Sequence, residues 1–299
     1  MFVPWRDRRG RLLPIKAAVL AAVPIPGIVT AFWWSQHELG ARPVTEAIHE
    51  IGLWAVRFLM IALAVTPLRA ALDWGKLLLV RRMLGLTALA YASIHLTLYA
   101  VQQNGRLLFV ASEIIHRFYL TIGFVTLLGL IALGVTSTDS AMRRMGRGWK
   151  RLHRLAYPLG VLALLHYFIQ SKAKVSEPVF VAGLFVWLML WRSLPASWQR
   201  SLFVYVPLSL LSGLAAAGIE FGWYAITTHI DPWRVLAANE TLRFGLRPAH
   251  YVVLTTLGLA AVIAGRRLAA WRQRSIALRG RQDRSNLPQE AAAPARSMR

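Results

Sequence analysis

Three histidines, His95, His153 and His166, stand within or at the edge of long apolar stretches. An ionisable side chain at bilayer depth is costly enough that it marks a site with a partner. Neutral imidazole in such a place suits the iron of a porphyrin, whose flat apolar ring matches the interior of a four-helix arrangement. His95 lies twelve residues beyond Met83, ~18 Å from the inner end of its stretch. His166 lies thirteen residues beyond His153, ~20 Å further out along another. The two stretches run in the same direction, so His95 and His166 reach a similar depth, as ligands on the two faces of one iron must, and His153 stays at the inner edge. Thirteen residues turn a straight helix by ~3.6 turns, which takes His153 and His166 off a common face. Pro158 and Gly160 lie between them and predict a bend there. For any one of these histidines alone, a plain hydrogen bond to a neighbouring helix is the competing reading.

Other chemistries find little support. The remaining histidines, His37, His49, His116, His229 and His250, fall in loops or at their edges, where water reaches them and no special role is required. Cysteine is absent, which excludes disulfides, thiolate ligands, iron–sulfur sites and covalently attached c-type haem. There is no HExxH, GxSxG, P-loop or GxGxxG signature. Glu113 and Glu220 stand near outer span ends and do not complete a zinc cluster.

The elements that must position these residues are membrane spans. Phe118–Thr136, Ala17–Gln36 and Leu202–Ile219 carry no charge, and a ~30 Å hydrocarbon core needs about 20 apolar residues per helix. The chain of 299 residues, with a mean hydropathy of +0.46, divides into eight predicted spans at 17–35, 51–67, 83–101, 118–136, 154–171, 178–191, 202–222 and 249–265. The expected fold class is therefore all-α, a polytopic helical bundle. Segments 1–16, 67–82, 137–152, 192–200 and 266–299 hold 25 of the 35 Lys and Arg residues, and the alternate loops hold 8. Basic residues are retained on the cytoplasmic side, so both termini are expected in the cytoplasm and the chain in the bacterial inner membrane. The net charge of +22 is spread over short loops and the tail, with no soluble domain to form a basic groove. Nucleic acid is therefore not an expected partner, whereas anionic membrane lipid is. The start reads as a retained first span without a small-residue cleavage site. Arg57, about two turns into the second span, is expected to snorkel outward, with a haem propionate as the alternative partner. The tail beyond Gly265 reads as an amphipathic stub followed by disorder. Pro24, Pro26 and Gly27 break the first span as in some transporters, but no midplane carboxylate accompanies them.

EIGLWAVRFLMIALAVTPLR (50–69), RRMLGL (81–86), SIHLTLYA (93–100), RFYLTIGF (117–124) and GVTSTDSAMRRMGRGWKRLHRLAYPLGVLALLHY (134–167) together resemble the MsrQ (formerly YedZ) family. These are the haem-binding membrane subunits of bacterial periplasmic methionine sulfoxide reductase systems, within the ferric-reductase-like transmembrane superfamily. The resemblance runs over roughly 15–195. It implies a six-helix haem-binding core at 17–195, followed by two added spans within 196–265 and a basic tail at 266–299. It also implies an electron-transfer subunit rather than the substrate-reducing enzyme. Electrons would come from the quinone pool or a cytosolic flavin reductase and leave to a periplasmic molybdopterin-containing reductase of the MsrP type. The cofactor implied is haem b, one group with a second as the alternative, and FMN is also attributed to the family, with no phosphate-cradling loop here to locate it. His95, His153 and His166 match the family's haem histidines. Superfamily members with two stacked haems carry an inner histidine where this chain has Arg82. That arginine is expected either to anchor the inner end or to pair with a haem propionate or flavin phosphate. A haem-containing ferric or quinone oxidoreductase with another partner is the alternative function.

Overall fold

The computed structural model describes residues 11–172, 174–243 and 245–285. The expected disorder of the last residues falls largely at 286–299, outside the described residues. Fourteen α-helices form among the described residues: α1 (Pro14–Ala22), α2 (Ile25–Ser35), α3 (Pro43–Leu72), α4 (Leu78–Gln102), α5 (Leu107–His116), α6 (Phe118–Val135), α7 (Asp139–Met145), α8 (Arg147–His153), α9 (Ala156–Ser171), α10 (Ser176–Ser193), α11 (Ala196–Gln199), α12 (Tyr205–Thr227), α13 (Pro232–Asn239) and α14 (Pro248–Ser285). Helices dominate because lipid offers no partner for backbone N–H and C=O groups, so each spanning segment must satisfy its own.

Seven helical segments are long and apolar enough to cross a membrane. The predicted span at 178–191 is α10, which is not among those seven; Glu177 and Arg192 stand at its two ends. It is an interior helix, with Val179, Phe185, Trp187 and Trp191 all buried. Its direction follows from its neighbours. Trp223, near the end of α12, donates from Nε1 to the carbonyl of Lys172 just after α9 at 3.0 Å. The C-terminal ends of α9 and α12 therefore share one end of the bundle, and α10 runs back between them.

Prolines account for the irregularities, and tertiary contacts mend them. Pro24 and Pro26 cannot donate backbone hydrogen bonds, so the first span breaks into α1 and α2. The Tyr91 hydroxyl of α4 enters the gap, donating to the Val23 carbonyl at 2.8 Å and accepting from the Gly27 N–H at 3.0 Å. Pro67 lies inside α3 and leaves the Leu63 carbonyl without its helical donor. The Arg192 guanidinium of α10 donates to that carbonyl and also lies over the Tyr157 ring, 5.5 Å from its centroid.

The core joins two layers. In the first, α3 packs on α4, α4 on α6, α6 on α9 and α9 on α3, closing a four-helix ring. In the second, α12 and α14 pack on the far side of α10. Small residues allow that approach: a Cβ on Gly183 would lie 2.5 Å from Val252 Cγ2, and one on Gly213 would lie 2.4 Å from Val253 Cγ2. At the end of the bundle shared by the α9 and α12 C-termini, Glu220 is 1% exposed. It accepts from Arg247 Nη2 at 2.6 Å and Asn239 Nδ2 at 2.8 Å, so the buried carboxylate is paired and hydrogen-bonded. The last helix runs well past the apolar stretch predicted at 249–265. It continues through residue 265 to Ser285, because Leu-, Ala-, Arg- and Gln-rich sequence after the apolar stretch is helix-forming and contains no proline to stop it.

Candidate cofactor site

His95 projects from α4 and His166 from α9 into the four-helix ring, their ring centroids 6.2 Å apart and their planes at 88°. Each ring is fixed in the same way. His95 Nδ1 lies 2.8 Å from the carbonyl oxygen of Ile48 on α3. His166 Nδ1 lies 2.8 Å from the carbonyl oxygen of Tyr119 on α6. A carbonyl can only accept, so Nδ1 of each neutral ring carries the proton and Nε2 keeps its lone pair for a metal.

The carbonyls are reachable because a glycine stands one turn further along each helix. A Cβ on Gly52 would lie 2.6 Å from His95 Nδ1, and one on Gly123 would lie 2.8 Å from His166 Cε1. Ile48, Gly52 and His95 thus repeat as Tyr119, Gly123 and His166, with carbonyl and histidine 47 residues apart in both sets. Sequence reasoning that started from the histidines missed both glycines. The equal Gly-to-His spacing was the available signal, weak because neither contact is local.

Between the rings lies a cavity of about 520 Å³ with apolar walls that include Leu53, Leu59, Phe124 and Leu127, and a mouth bearing Glu46, Glu50, Lys174 and Glu177. The donor set fits the expected haem. Two metal–imidazole bonds of about 2 Å each, plus about 1 Å from each nitrogen to its ring centre, give roughly the observed separation. The walls suit an apolar macrocycle, and a Cβ at either glycine would displace an imidazole. Among the described residues, no group of three or more His, Cys, Asp or Glu is placed to hold a bare metal ion. Arg57 at this end does not snorkel alone: it forms an ion pair with Glu177 and lies 4.7 Å from the centroid of the Trp54 ring.

His153 is not brought to this pair. It ends α8, its Nε2 is 3.2 Å from Thr136 Oγ1, and its ring stacks on Trp149 at 3.9 Å and 26°. Trp149 in turn donates to the Thr136 carbonyl at 2.8 Å. The helix break that separates His153 from His166 falls at Arg154–Leu155, ahead of the bend expected at Pro158–Gly160. Pro158 causes it nonetheless. Lacking an N–H, it cannot bond the Arg154 carbonyl, which accepts instead from Tyr157 in a tighter turn at 3.1 Å; Pro158 itself then sits in the first turn of α9, where no donor is missed. Arg82 also lies away from the pair, with Nη1 2.7 Å from Asp139 Oδ1 and Nη2 3.5 Å from Met142 Sδ, tying the start of α4 to α7.

A four-helix ring around facing imidazoles, within a bundle of membrane-length helices, defines a ferric-reductase-like transmembrane protein, and residues 51–164 match the family model described as ferric reductase like transmembrane component. That stretch contains Gly52, His95, Gly123 and His153 and stops two residues short of His166. A protein-methionine-sulfoxide reductase heme-binding subunit MsrQ from Xanthomonas campestris pv. campestris (strain 8004) is 45% identical over 191 residues, covering 62% of this chain and 85% of that protein. The MsrQ of Xanthomonas euvesicatoria pv. vesicatoria (strain 85-10) is 44% identical over 183 residues, covering 60% and 83%. That of Rhodospirillum rubrum is 38% identical over 197 residues, covering 65% and 92%. The chain belongs to the MsrQ family. No solved structure matches it.

Proposed function

We propose that this chain is the haem-binding, electron-carrying membrane subunit of a two-component methionine sulfoxide reductase. In this reading it takes electrons from the quinone pool or a cytosolic flavin reductase. It passes them to a periplasmic molybdenum-cofactor enzyme of the MsrP type, which repairs oxidised periplasmic proteins. The observation that carries the reading is the pair of imidazoles, 6.2 Å apart, each with Nδ1 committed to a backbone carbonyl.

Bound between them, b-type haem supplies a one-electron iron couple inside hydrocarbon that otherwise insulates the two sides. His95 and His166 would hold it through Nε2. The Ile48 and Tyr119 carbonyls fix the orientation of those rings and raise their basicity, as outer hydrogen bonds to metal-binding histidines do. The apolar walls keep water from the site, and Lys174 and Glu177 at the mouth give it a charged border facing the proposed periplasmic side. His153 is the remaining histidine for a second haem, at the inner end, and would have to leave Thr136 to serve. The division into a haem-binding unit at 17–195 and two added spans at 196–265 is part of the same reading. So is an inner-membrane location with both termini cytoplasmic, supported by the crowding of basic residues in alternate loops and by α10 running back between α9 and α12.

The test is optical. Membranes from cells supplied with haem should yield a purified chain with a reduced b-type spectrum. His95→Ala and His166→Ala should each abolish the signal of the His95–His166 site, and His153→Ala should leave that signal in place. A colourless, well-folded wild type sinks the proposal.

A further inference from the structure

We infer that the end of the bundle opposite the His95–His166 mouth carries a binding site for a phosphate-bearing headgroup, occupied by an anionic phospholipid of the inner leaflet. Here a cavity of about 950 Å³ is lined by Arg69, Arg200, Arg266 and Arg267, with Asp73 the only carboxylate in the lining. The three walls come from the last turn of α3, the connection between α11 and α12, and α14 just past its apolar stretch. Among the described residues, none of the four guanidinium groups is paired with a carboxylate.

Four like charges around one basin repel one another, and an anion relieves that repulsion. Phosphate suits the site best, because the planar guanidinium fork matches phosphate oxygens two at a time. Two contacts give the basin its shape. Arg267 Nη1 donates to the Arg200 carbonyl at 2.5 Å, drawing α14 against the α11–α12 connection. The Arg266 guanidinium lies 5.9 Å from the centroid of the Trp74 ring.

Position favours a lipid over a soluble phosphate. The arginines stand where the apolar runs of α3 and α14 end, which is headgroup depth, and Trp74 and Trp271 flank them as interfacial tryptophans do. Exposed Leu268 and Trp271 on α14 offer apolar surface beside the charged basin, which acyl chains need and a free phosphate does not. Basic pockets between transmembrane helices on the cytoplasmic side are a recurrent means of holding anionic headgroups. Because the walls belong to α3 on one side and α14 on the other, an occupant would bridge the four-helix ring and the added C-terminal helices.

The experiment uses the full haem-loaded chain in phosphatidylcholine nanodiscs, with and without cardiolipin, read by thermal unfolding and by native mass spectrometry of retained lipid. Cardiolipin should be retained selectively by the wild type and should raise its unfolding temperature. Arg200→Gln combined with Arg266→Gln should weaken retention roughly 30-fold, the contribution of two basic residues at an anionic surface, and remove the thermal shift while the haem spectrum stays unchanged. A wild type that retains cardiolipin no better than phosphatidylcholine overturns the inference, and so does a variant that retains it equally well. Flavin mononucleotide and inorganic phosphate are added as competitors. Displacement by either overturns the lipid as occupant and leaves the phosphate chemistry standing, whereas failure of both to compete supports the lipid.

Discussion

At the residue scale, the two imidazoles owe their direction to what is missing beside them. Gly52 and Gly123 lack the Cβ that would stand 2.6 Å and 2.8 Å from the rings, so each Nδ1 reaches a helix carbonyl. Alanine in a helix interior is otherwise preferred over glycine by about 1 kcal/mol. Gly52→Ala and Gly123→Ala should gain that helical preference, lose about 1–3 kcal/mol to the clash with the ring, and push the imidazole off its carbonyl. Loss of such an outer contact weakens a metal site roughly 10–100-fold. Haem titration of each variant should show that weakening, with circular dichroism showing that the helical fold persists. A variant that binds haem as tightly as the wild type would show that the carbonyl contact is incidental.

At the element scale, the bundle repairs its proline breaks with side chains from neighbouring helices. Arg192 supplies the donor that Pro67 cannot give to the Leu63 carbonyl, and thereby ties α10 to α3. Removing it leaves a carbonyl unsatisfied where water is scarce, at about 1–3 kcal/mol. Arg192→Met should destabilise by that order in the wild-type background. In a Pro67→Ala background the restored N–H at position 67 can serve Leu63, so the same change should cost measurably less. Unfolding of the two single variants and the double variant in one detergent measures the coupling. Additive effects would mean that Arg192 stabilises only through its other contacts, the Leu188 carbonyl at 2.9 Å and the Tyr157 ring.

For the whole molecule, the two ends of the bundle differ in charge and in what they hold. One end carries the mouth of the His95–His166 cavity and the sparse loops; the other carries the arginine basin and the Arg82–Asp139 pair. The role of α10 decides how the ends relate across the bilayer. If it crosses, Glu240 after α13 lies on the opposite side from Ser140 at the start of α7. The absence of cysteine makes any introduced thiol a unique label. With a membrane-impermeant maleimide on intact spheroplasts, Glu240→Cys should react directly and Ser140→Cys only after permeabilisation. Labelling of both from outside, or of neither, would remove α10 as a crossing helix and with it the assignment of both termini to the cytoplasm.

The sequence alone determined the features that depend on counting. Unbroken apolar runs must become helices because lipid leaves backbone groups no other partner, and a fixed rise per residue sets His95 and His166 at one depth. Alternation of basic and sparse loops sorted the connections into two sets. What only the tertiary structure decided was direction around each helix axis. Which carbonyl takes His95 or His166 depends on helices meeting across 47 residues of chain, and no local period encodes that. His153 was legible as a histidine at a span's edge, but the tight turn at Arg154–Leu155 and its stack on Trp149 were not. Pro158 announced a bend, yet where the chain broke was set by which carbonyl lost its donor. How far the amphipathic stub beyond Gly265 would run was likewise not legible; it continues α14 to Ser285.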